Sequence, residues 1–161
     1  MQVKEKDPMI IQAGEGKKMR VMGNDVTVKL TKQETNGEYY LFEVVTPPGV
    51  GVPPHIHQNE DEIIEVVEGE LEVQLGDQVY QAKAGALIHF VRYAPHGFRN
   101  TSPNPCRTRW TVIPGQSFEQ FFNELGALPE GQPDLEKVAA IFAKYDIELL
   151  PLPQSEGVGG I

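Results

Sequence analysis

Apolar and polar residues alternate along the chain from residue 9 to about residue 113. In the segment DVTVKLTK, residues 25–32, Val26, Val28 and Leu30 fall on one face of an extended strand. Roughly nine or ten such segments occur, and turn residues separate them about every 8 to 12 residues. The pattern predicts an all-β fold, and a jelly-roll β-barrel is one common way for such a chain to manage its sheet edges.

Turn residues indicate how the strands connect. Asn36-Gly37 precedes a second alternating segment at residues 38–46, and this dipeptide predicts a tight hairpin turn. Gly69 divides a long apolar segment into two strands. The later predicted strands are residues 78–82, 86–91, 96–100 and 106–113.

The apolar period becomes helical after the last of these strands. Ser117 with Gln120 is typical of a capping box at a helix start, and Gly126 is typical of a helix end. A second helix is expected to begin near Asp134. The first helix has an apolar face of Phe118, Phe121, Phe122 and Leu125, and the second has one of Leu135, Val138, Ile141, Phe142 and Tyr145. We expect both faces to pack on the barrel or on a partner subunit.

These elements predict one domain over residues 1–161. The barrel is expected at about residues 9–113 and a helical extension at about residues 117–146. The last residues, about 153–161, are rich in glycine and are expected to form a mobile tail.

The net charge of −9 limits the classes of function. Binding to nucleic acid is disfavoured, because neutralising phosphates needs a basic surface and no dense block of lysine and arginine is present. We expect no membrane span, since no run of about 18 apolar residues occurs, and no secretory signal is visible. Cys106 is the only cysteine, so an internal disulfide is impossible. We therefore expect a cytoplasmic protein.

Candidate chemistry is concentrated in PPHIHQNEDEIIEVVEGE, residues 53–70. His55 and His57 are two residues apart, so their side chains point to the same side of a strand. Glu62 is at an odd offset from His57, and the polar insert between them allows a turn that brings it back to that side. His96 offers a third imidazole. Three imidazoles and one carboxylate suit a divalent first-row transition metal.

Simpler interpretations stay open for individual residues. A His-x-His pair on a strand can be surface decoration. Glu60 and Asp61 are expected to lie in a solvated loop. His89, in the segment ALIHFV, is either part of a pocket wall or a packed, hydrogen-bonded histidine, and we do not expect it to be a ligand.

These residues resemble the two motifs of the cupin superfamily, whose members are small jelly-roll barrels. The first motif, G-x5-H-x-H-x4-E-x6-G, is complete at Gly49, His55, His57, Glu62 and Gly69. The second, G-x5-P-x-G-x2-H-x3-N, is matched by Gly85, His96 and Asn100. Val91 and Tyr93 replace its proline and its second glycine. Tyrosine adopts positive φ poorly, so we expect a reshaped turn at the pocket mouth.

The resemblance implies that one divalent ion of iron, manganese, nickel, cobalt, copper or zinc is bound by His55, His57, Glu62 and His96. The C-terminal part is similar to that of single-domain cupins described as quercetin-dioxygenase-like. It implies an oxidoreductase of dioxygenase type that acts on a small aromatic or enolic substrate, with Glu62 as general base. The expected substrate pocket consists of Ile64, Val66, Val73, His89, Tyr93 and Phe98.

Two other functions agree with the same motifs. Isomerases and epimerases acting on sugars use this fold, but their sites usually need several lysines or arginines. We expect Arg107 and Arg109 to lie on a solvated sheet face instead. The other alternative is a non-catalytic cupin that binds a small molecule. Small cupins commonly pair through an N-terminal strand, so residues 9–12 favour a homodimer.

Overall fold

The computed structural model describes residues 5–151, and within them eleven strands form two antiparallel sheets. The strands are β1 (Lys17–Val21), β2 (Asn24–Leu30), β3 (Tyr40–Thr46), β4 (Gly51–His57), β5 (Asp61–Glu68), β6 (Glu70–Leu75), β7 (Gln78–Lys83), β8 (Leu87–Phe90), β9 (His96–Arg99), β10 (Cys106–Ile113) and β11 (Ile147–Leu149). One sheet has the order β1-β2-β3-β10-β5-β8 and the other β11-β4-β9-β6-β7. This arrangement confirms the jelly-roll barrel. The tail expected at residues 153–161 lies outside the described residues.

Three helices accompany these strands in residues 5–151, namely α1 (Lys32–Thr35), α2 (Phe118–Gly126) and α3 (Leu135–Lys144). The predicted pair of C-terminal helices is confirmed. The side chain of Asp134 caps α3, since its carboxylate accepts hydrogen bonds from the backbone N–H groups of Glu136 and Lys137. The capping box predicted at Ser117 is wrong. Its backbone is already helical, so its side chain does not reach back to cap α2.

Asn36-Gly37 does form a tight turn, since both residues have positive φ and the backbone N–H of Glu38 donates to the carbonyl of Thr35 at 3.2 Å. Strands β2 and β3 pair as neighbours, but this turn does not join them directly as a two-residue hairpin. The single turn of α1 lies between them and has a capping box in which Thr31 and Glu34 bond each other's backbone N–H groups. Asn36 then ends the helix with a φ of 55°. Its left-handed conformation is also the one expected at a helix end, so the same dipeptide ends α1 and turns the chain toward β3.

The core lies between the two sheets and beneath α2. Ile64, Val66 and Val73 belong to this core, and each is at most 2% exposed. The ring of Phe42 on β3 stacks on Phe118 of α2 with centroids 6.1 Å apart. The predicted packing of the helical faces on the barrel is therefore confirmed. Leu135 is the exception, because it is 73% exposed at the start of α3.

The two ends of the described chain differ from expectation. Strand β11 was not predicted, yet it pairs with β4 along its whole length. The barrel begins at Lys17, and no strand is present at residues 9–12. Met9 and Ile10 are exposed there, and the homodimer stays a prediction. None of the helices within residues 5–151 has the length and apolar character needed to cross a membrane.

Candidate metal centre

Three strands bring the four predicted ligands together inside the barrel. His55 and His57 are on β4, and His55 lies directly opposite His96 of β9 in the same sheet. Glu62 is on β5, which belongs to the other sheet. The chain crosses between the sheets after His57, so a residue at an odd offset again points inward. This crossing explains how Glu62 faces the histidines.

These four residues, His55, His57, Glu62 and His96, are called the quartet below. Each offers one ligand atom, and the four atoms all lie within 4.8 Å of one another. The Nε2 atoms of His55 and His57 are 3.1 Å apart, and the Nε2 of His96 is 3.1 Å from Oε2 of Glu62. All four side chains are buried.

Each imidazole of the quartet has an oxygen atom beside its outer nitrogen. Nδ1 of His55 is 2.9 Å from the carbonyl oxygen of Pro53, and Nδ1 of His96 is 3.0 Å from that of Ala94. Nδ1 of His57 is 3.1 Å from Oε2 of Glu60. A carbonyl or an ionised carboxylate accepts hydrogen bonds, so each Nδ1 is the donor. The three Nε2 atoms thereby face the centre, where a metal ion would bind them through their lone pairs.

Glu60 corrects the sequence interpretation, which had placed it in a solvated loop. It is 3% exposed, and its carboxylate accepts the hydrogen bond from the ring of His57. Burial of a carboxylate is costly unless it is paired, and the His57 ring supplies the partner. An acid three residues after a ligand histidine was the only signal in the sequence, and it is shared by many surface loops.

The charges of the quartet are strongly coupled. Burial and, to a smaller extent, the neighbouring imidazoles lower the pKa of His55 to about 3, so this ring is neutral. Burial also opposes charge on His57, but the carboxylates of Glu62 and Glu60 outweigh it and raise the pKa of that imidazole. Burial alone would raise the pKa of Glu62, whereas His57 and His96 lower it to about 2. The carboxylate is thus ionised at neutral pH.

The donor set fits a divalent transition metal. The Nε2 atoms of His55 and His57 are 3.1 Å apart. Two facing lone pairs would repel each other, so a proton or a cation must lie between these atoms. The raised pKa of His57 shows that this place favours positive charge. Three imidazole nitrogens and one carboxylate match the preference of first-row divalent ions, and the oxygen partners of the rings fix their orientation. The quartet could therefore hold one such ion.

An apolar cavity opens beside the quartet. Its volume is about 60 Å³. The lining consists of His55, His57 and Glu62 together with Val21, Met22, Asn24, Val26, Phe42, Val44, Val52, Phe98, Trp110, Phe118, Phe121, Phe122, Leu125 and Phe142. Phe98 is the only predicted pocket residue outside the quartet among them. The cavity thus lies farther toward the helices than the sequence indicated.

Ile64, Val66 and Val73 do not line this cavity, although they share its inward-facing side of the barrel. Their side chains pack in the core between the two sheets. They are therefore outside the lining of this cavity, and a role for them in substrate binding stays a prediction.

His89 and Tyr93 likewise do not line this cavity. His89 is exposed on β8, because its neighbours Ile88 and Phe90 take the inward positions. Phe90 was missed, yet it stacks on the His96 ring with centroids 4.1 Å apart. Strict alternation along β8 would have identified it. Tyr93 is 65% exposed.

The turn at Tyr93 keeps the backbone of the glycine that the motif has there. Its φ is 69°, so the expected reshaping does not occur. The backbone N–H of Tyr93 donates a hydrogen bond of 2.8 Å to the carbonyl of His57, which offsets part of the strain. Val91 is also exposed. Both departures from the motif therefore lie outside the quartet.

Asp61 joins this turn to the strand of Glu62. Its carboxylate accepts hydrogen bonds from the backbone and the guanidinium of Arg92, at 2.8 Å and at 3.2 and 3.0 Å. These bonds lower the pKa of Asp61. The segment that contains Arg92 and Tyr93 is thus bonded to the first motif at two places, His57 and Asp61.

Comparison with known proteins agrees with this geometry. Residues 42–118 match the family model described as "Cupin domain". Over 102 residues the chain is 30% identical to a quercetin 2,3-dioxygenase from Bacillus subtilis, a match that covers 62% of this chain and 29% of that protein. The chain thus spans less than a third of the length of this relative.

Solved structures show the same fold. A predicted oxalate decarboxylase from Thermotoga maritima has a TM-score of 0.62 at 20% identity, covering 65% of this chain and 98% of that one. A sugar phosphate isomerase of the cupin superfamily from Silicibacter pomeroyi has a TM-score of 0.58 at 16% identity, covering 65% and 75%. The barrel, both motifs and the matched domain agree, and the chain belongs to the cupin superfamily.

Proposed function

We propose that this cupin is a metal-dependent oxidoreductase of dioxygenase type that acts on a small aromatic or enolic substrate. The observation that carries the proposal is the quartet of inward-directed ligand atoms at the wall of an apolar cavity. The similarity of 102 residues to a quercetin 2,3-dioxygenase supports it. A redox-active divalent ion held by the quartet would supply the electronic link between substrate and dioxygen.

The protein residues provide a dry and oriented site. Phenyl rings of Phe118 and Phe142 lie against the imidazoles of His57 and His55, each pair with centroids 6.0 Å apart. Such a wall excludes water and favours a flat, apolar substrate. Both atoms of dioxygen would enter the substrate, which itself supplies the electrons, so no separate reductant is required.

Glu62 is the candidate proton acceptor. It is ionised, buried and next to the cavity, so it can accept the proton of an acidic enol hydroxyl. Its pKa of about 2 keeps the carboxylate ionised and available as an acceptor.

The size of the cavity favours a small enol over a polycyclic flavonol. Pockets for drug-sized ligands commonly have several hundred Å³, roughly 300 to 1,000 Å³. The cavity here has about 60 Å³. A larger substrate would enter only if the rings of α2 were displaced.

A sugar phosphate is disfavoured by the charges. The cavity lining includes no lysine or arginine among residues 5–151. Arg107 and Arg109 lie on the outer face of the barrel, where Glu68, Glu43 and Glu65 pair with them. A phosphate group would therefore find no lysine or arginine partner in the described lining.

The test is to load the protein with Fe(II) or Mn(II) without oxygen and then to measure oxygen consumption with small enols, diketones and flavonols. We expect consumption with one of the enols. His55→Ala should abolish it, since a neutral ligand is lost and no charged partner is left unpaired. His89→Ala is the matched control, because this histidine is exposed and outside the quartet.

Two outcomes would contradict the proposal. Oxygen consumption that is equal in wild type and His55→Ala would show that the quartet is not involved. Binding of the enols to metal-loaded protein without any oxygen consumption would instead favour the non-catalytic alternative.

A further inference from the structure

Asn24 is a polar residue in an otherwise apolar part of the cavity lining. It begins β2, directly after the turn at Met22-Gly23, and it is 4% exposed. Within residues 5–151, the lining side chains other than Asn24, His55, His57 and Glu62 are aliphatic, aromatic or a thioether. A buried amide at this place therefore needs an explanation.

The orientation of the Asn24 amide is fixed by its neighbours. Its Nδ2 donates to the carbonyl oxygens of Val21 and Met22, both at 3.3 Å. Carbonyl oxygens only accept hydrogen bonds, so the opposite orientation would place Oδ1 against them. The amide oxygen is consequently the atom that is left over. It has no hydrogen-bond partner within residues 5–151.

No neighbouring lining residue can satisfy this oxygen by a simple rotation. The indole of Trp110 already donates to Oγ1 of Thr108 at 2.7 Å, and the ring N–H groups of His55 and His57 already donate to Pro53 and Glu60. A buried acceptor without a donor costs free energy, and native proteins rarely leave one unexplained. A donor on a molecule in the cavity would satisfy it.

Asn24 and Glu62 line the same cavity from different strands of one sheet. Strands β3 and β10 separate its strand from β5, which carries Glu62. A ligand that touches both must therefore have polar groups at two ends and apolar surface between them.

We propose that Asn24 determines substrate specificity by accepting a hydrogen bond from a hydroxyl group of the substrate, at the end remote from its metal-binding oxygens. The inference rests on the function proposed above and narrows its substrate class. The substrate is then a small enol or aromatic compound with coordinating oxygens at one end and a hydroxyl at the other.

Binding of two matched pairs of compounds tests this. The pairs are butanoate with 4-hydroxybutanoate and benzoate with 4-hydroxybenzoate, titrated calorimetrically into Co(II)-loaded protein without oxygen. We expect wild type to bind the better-fitting hydroxylated compound about threefold to tenfold more tightly than its partner, as for one buried hydrogen bond. Asn24→Leu should remove this preference while it still binds the unhydroxylated compound.

Val52→Ala is the matched control, since it alters the same lining without a polar atom and should keep the preference. If Asn24→Leu does not fold, Asn24→Ser replaces it, because a hydroxyl can still donate to the turn carbonyls but no amide oxygen remains. Binding without any preference for hydroxyl in wild type would overturn this inference alone. Absence of binding by all four compounds would overturn it together with the proposed function.

Discussion

The cavity joins two unlike halves. In the polar half, the quartet residues His55 and His57 have an oxygen atom at hydrogen-bond distance from each outer ring nitrogen. In the apolar half, Phe118, Phe121 and Phe142 contact one another and the imidazoles without directional bonds, with the rings of Phe121 and Phe142 5.1 Å apart. One half is fixed by hydrogen bonds and the other by packing.

This difference indicates separate roles. A hydrogen bond weakens steeply when its distance or angle changes, so the polar half holds its nitrogen atoms in a defined geometry. Packing of rings fixes volume and excludes water, but it tolerates changes of shape. We therefore expect changes in the polar half to alter metal binding, and changes in the apolar half to alter stability and access.

The largest expected effect is loss of the metal from His55→Ala. One of three imidazole ligands disappears, and the remaining three ligand atoms would leave one side of the ion exposed to water. Metal analysis after dialysis should find less than stoichiometric metal, whereas His89→Ala should keep it. Retention of one metal ion per chain in His55→Ala would show that this residue is not a ligand.

Phe118→Ala should destabilise the fold by about 3 to 5 kcal/mol, because a fully buried ring is removed from the apolar half. Phe118 is 3% exposed. Chemical denaturation measures this, and Leu135→Ala is the control, with a change within about 0.5 kcal/mol at an exposed site. The metal content of folded Phe118→Ala should be unchanged. A loss of metal there would contradict the separation of roles.

Glu60→Gln should weaken metal binding by about tenfold to a hundredfold, a typical cost for losing an outer partner of a ligand histidine. The amide oxygen still accepts from His57, so the ring keeps its position while the negative charge is lost. Competition with a chromophoric chelator for Zn(II) measures the affinity. Glu65→Gln, on the outer face of the same region, should leave it unaltered.

The smallest expected effect is on the free energy of unfolding, from loss of the ion pair between Asp61 and Arg92. Arg92 lowers the pKa of Asp61, so this ion pair stabilises the protein above the unfolded-state pKa near 3.8 and the contribution disappears as pH falls below it. Both side chains are about one-third exposed, so Asp61→Asn should cost less than about 1 kcal/mol at pH 7. Unfolding measured at pH 7 and at acidic pH should show the difference shrink. A cost that stays constant with pH would exclude the ion pair as its source.

Sequence alone predicted the elements whose cause is local. Alternation located most of the strands, and Gly69 marked the turn between β5 and β6. The φ of Gly69 is 84°, and a Cβ atom there would lie 2.9 Å from the carbonyl of Pro105. The spacing of the two motifs identified all four members of the quartet as a set. Asp134 marked the start of α3.

Features that depend on distant partners were not predictable in this way. Burial of the Glu60 carboxylate costs little only because the His57 ring donates a hydrogen bond to it. Alternation along the strand does not predict that this ring lies beside Glu60. The positive φ of Tyr93 needs the hydrogen bond to the His57 carbonyl, which exists only when the segments meet. The unpartnered oxygen of Asn24 is visible only once the lining is known.

Strand β11 has a consequence for any shortened form of the protein. It covers the outer side of β4, where Ile147 lies opposite His57 and Leu149 opposite His55. Without it, the backbone N–H and C=O groups of the histidine-bearing strand would become a bare sheet margin open to pairing with a second molecule. Removal of residues from Ile147 onward should therefore favour self-association of the protein through the very strand that carries two of its candidate ligands.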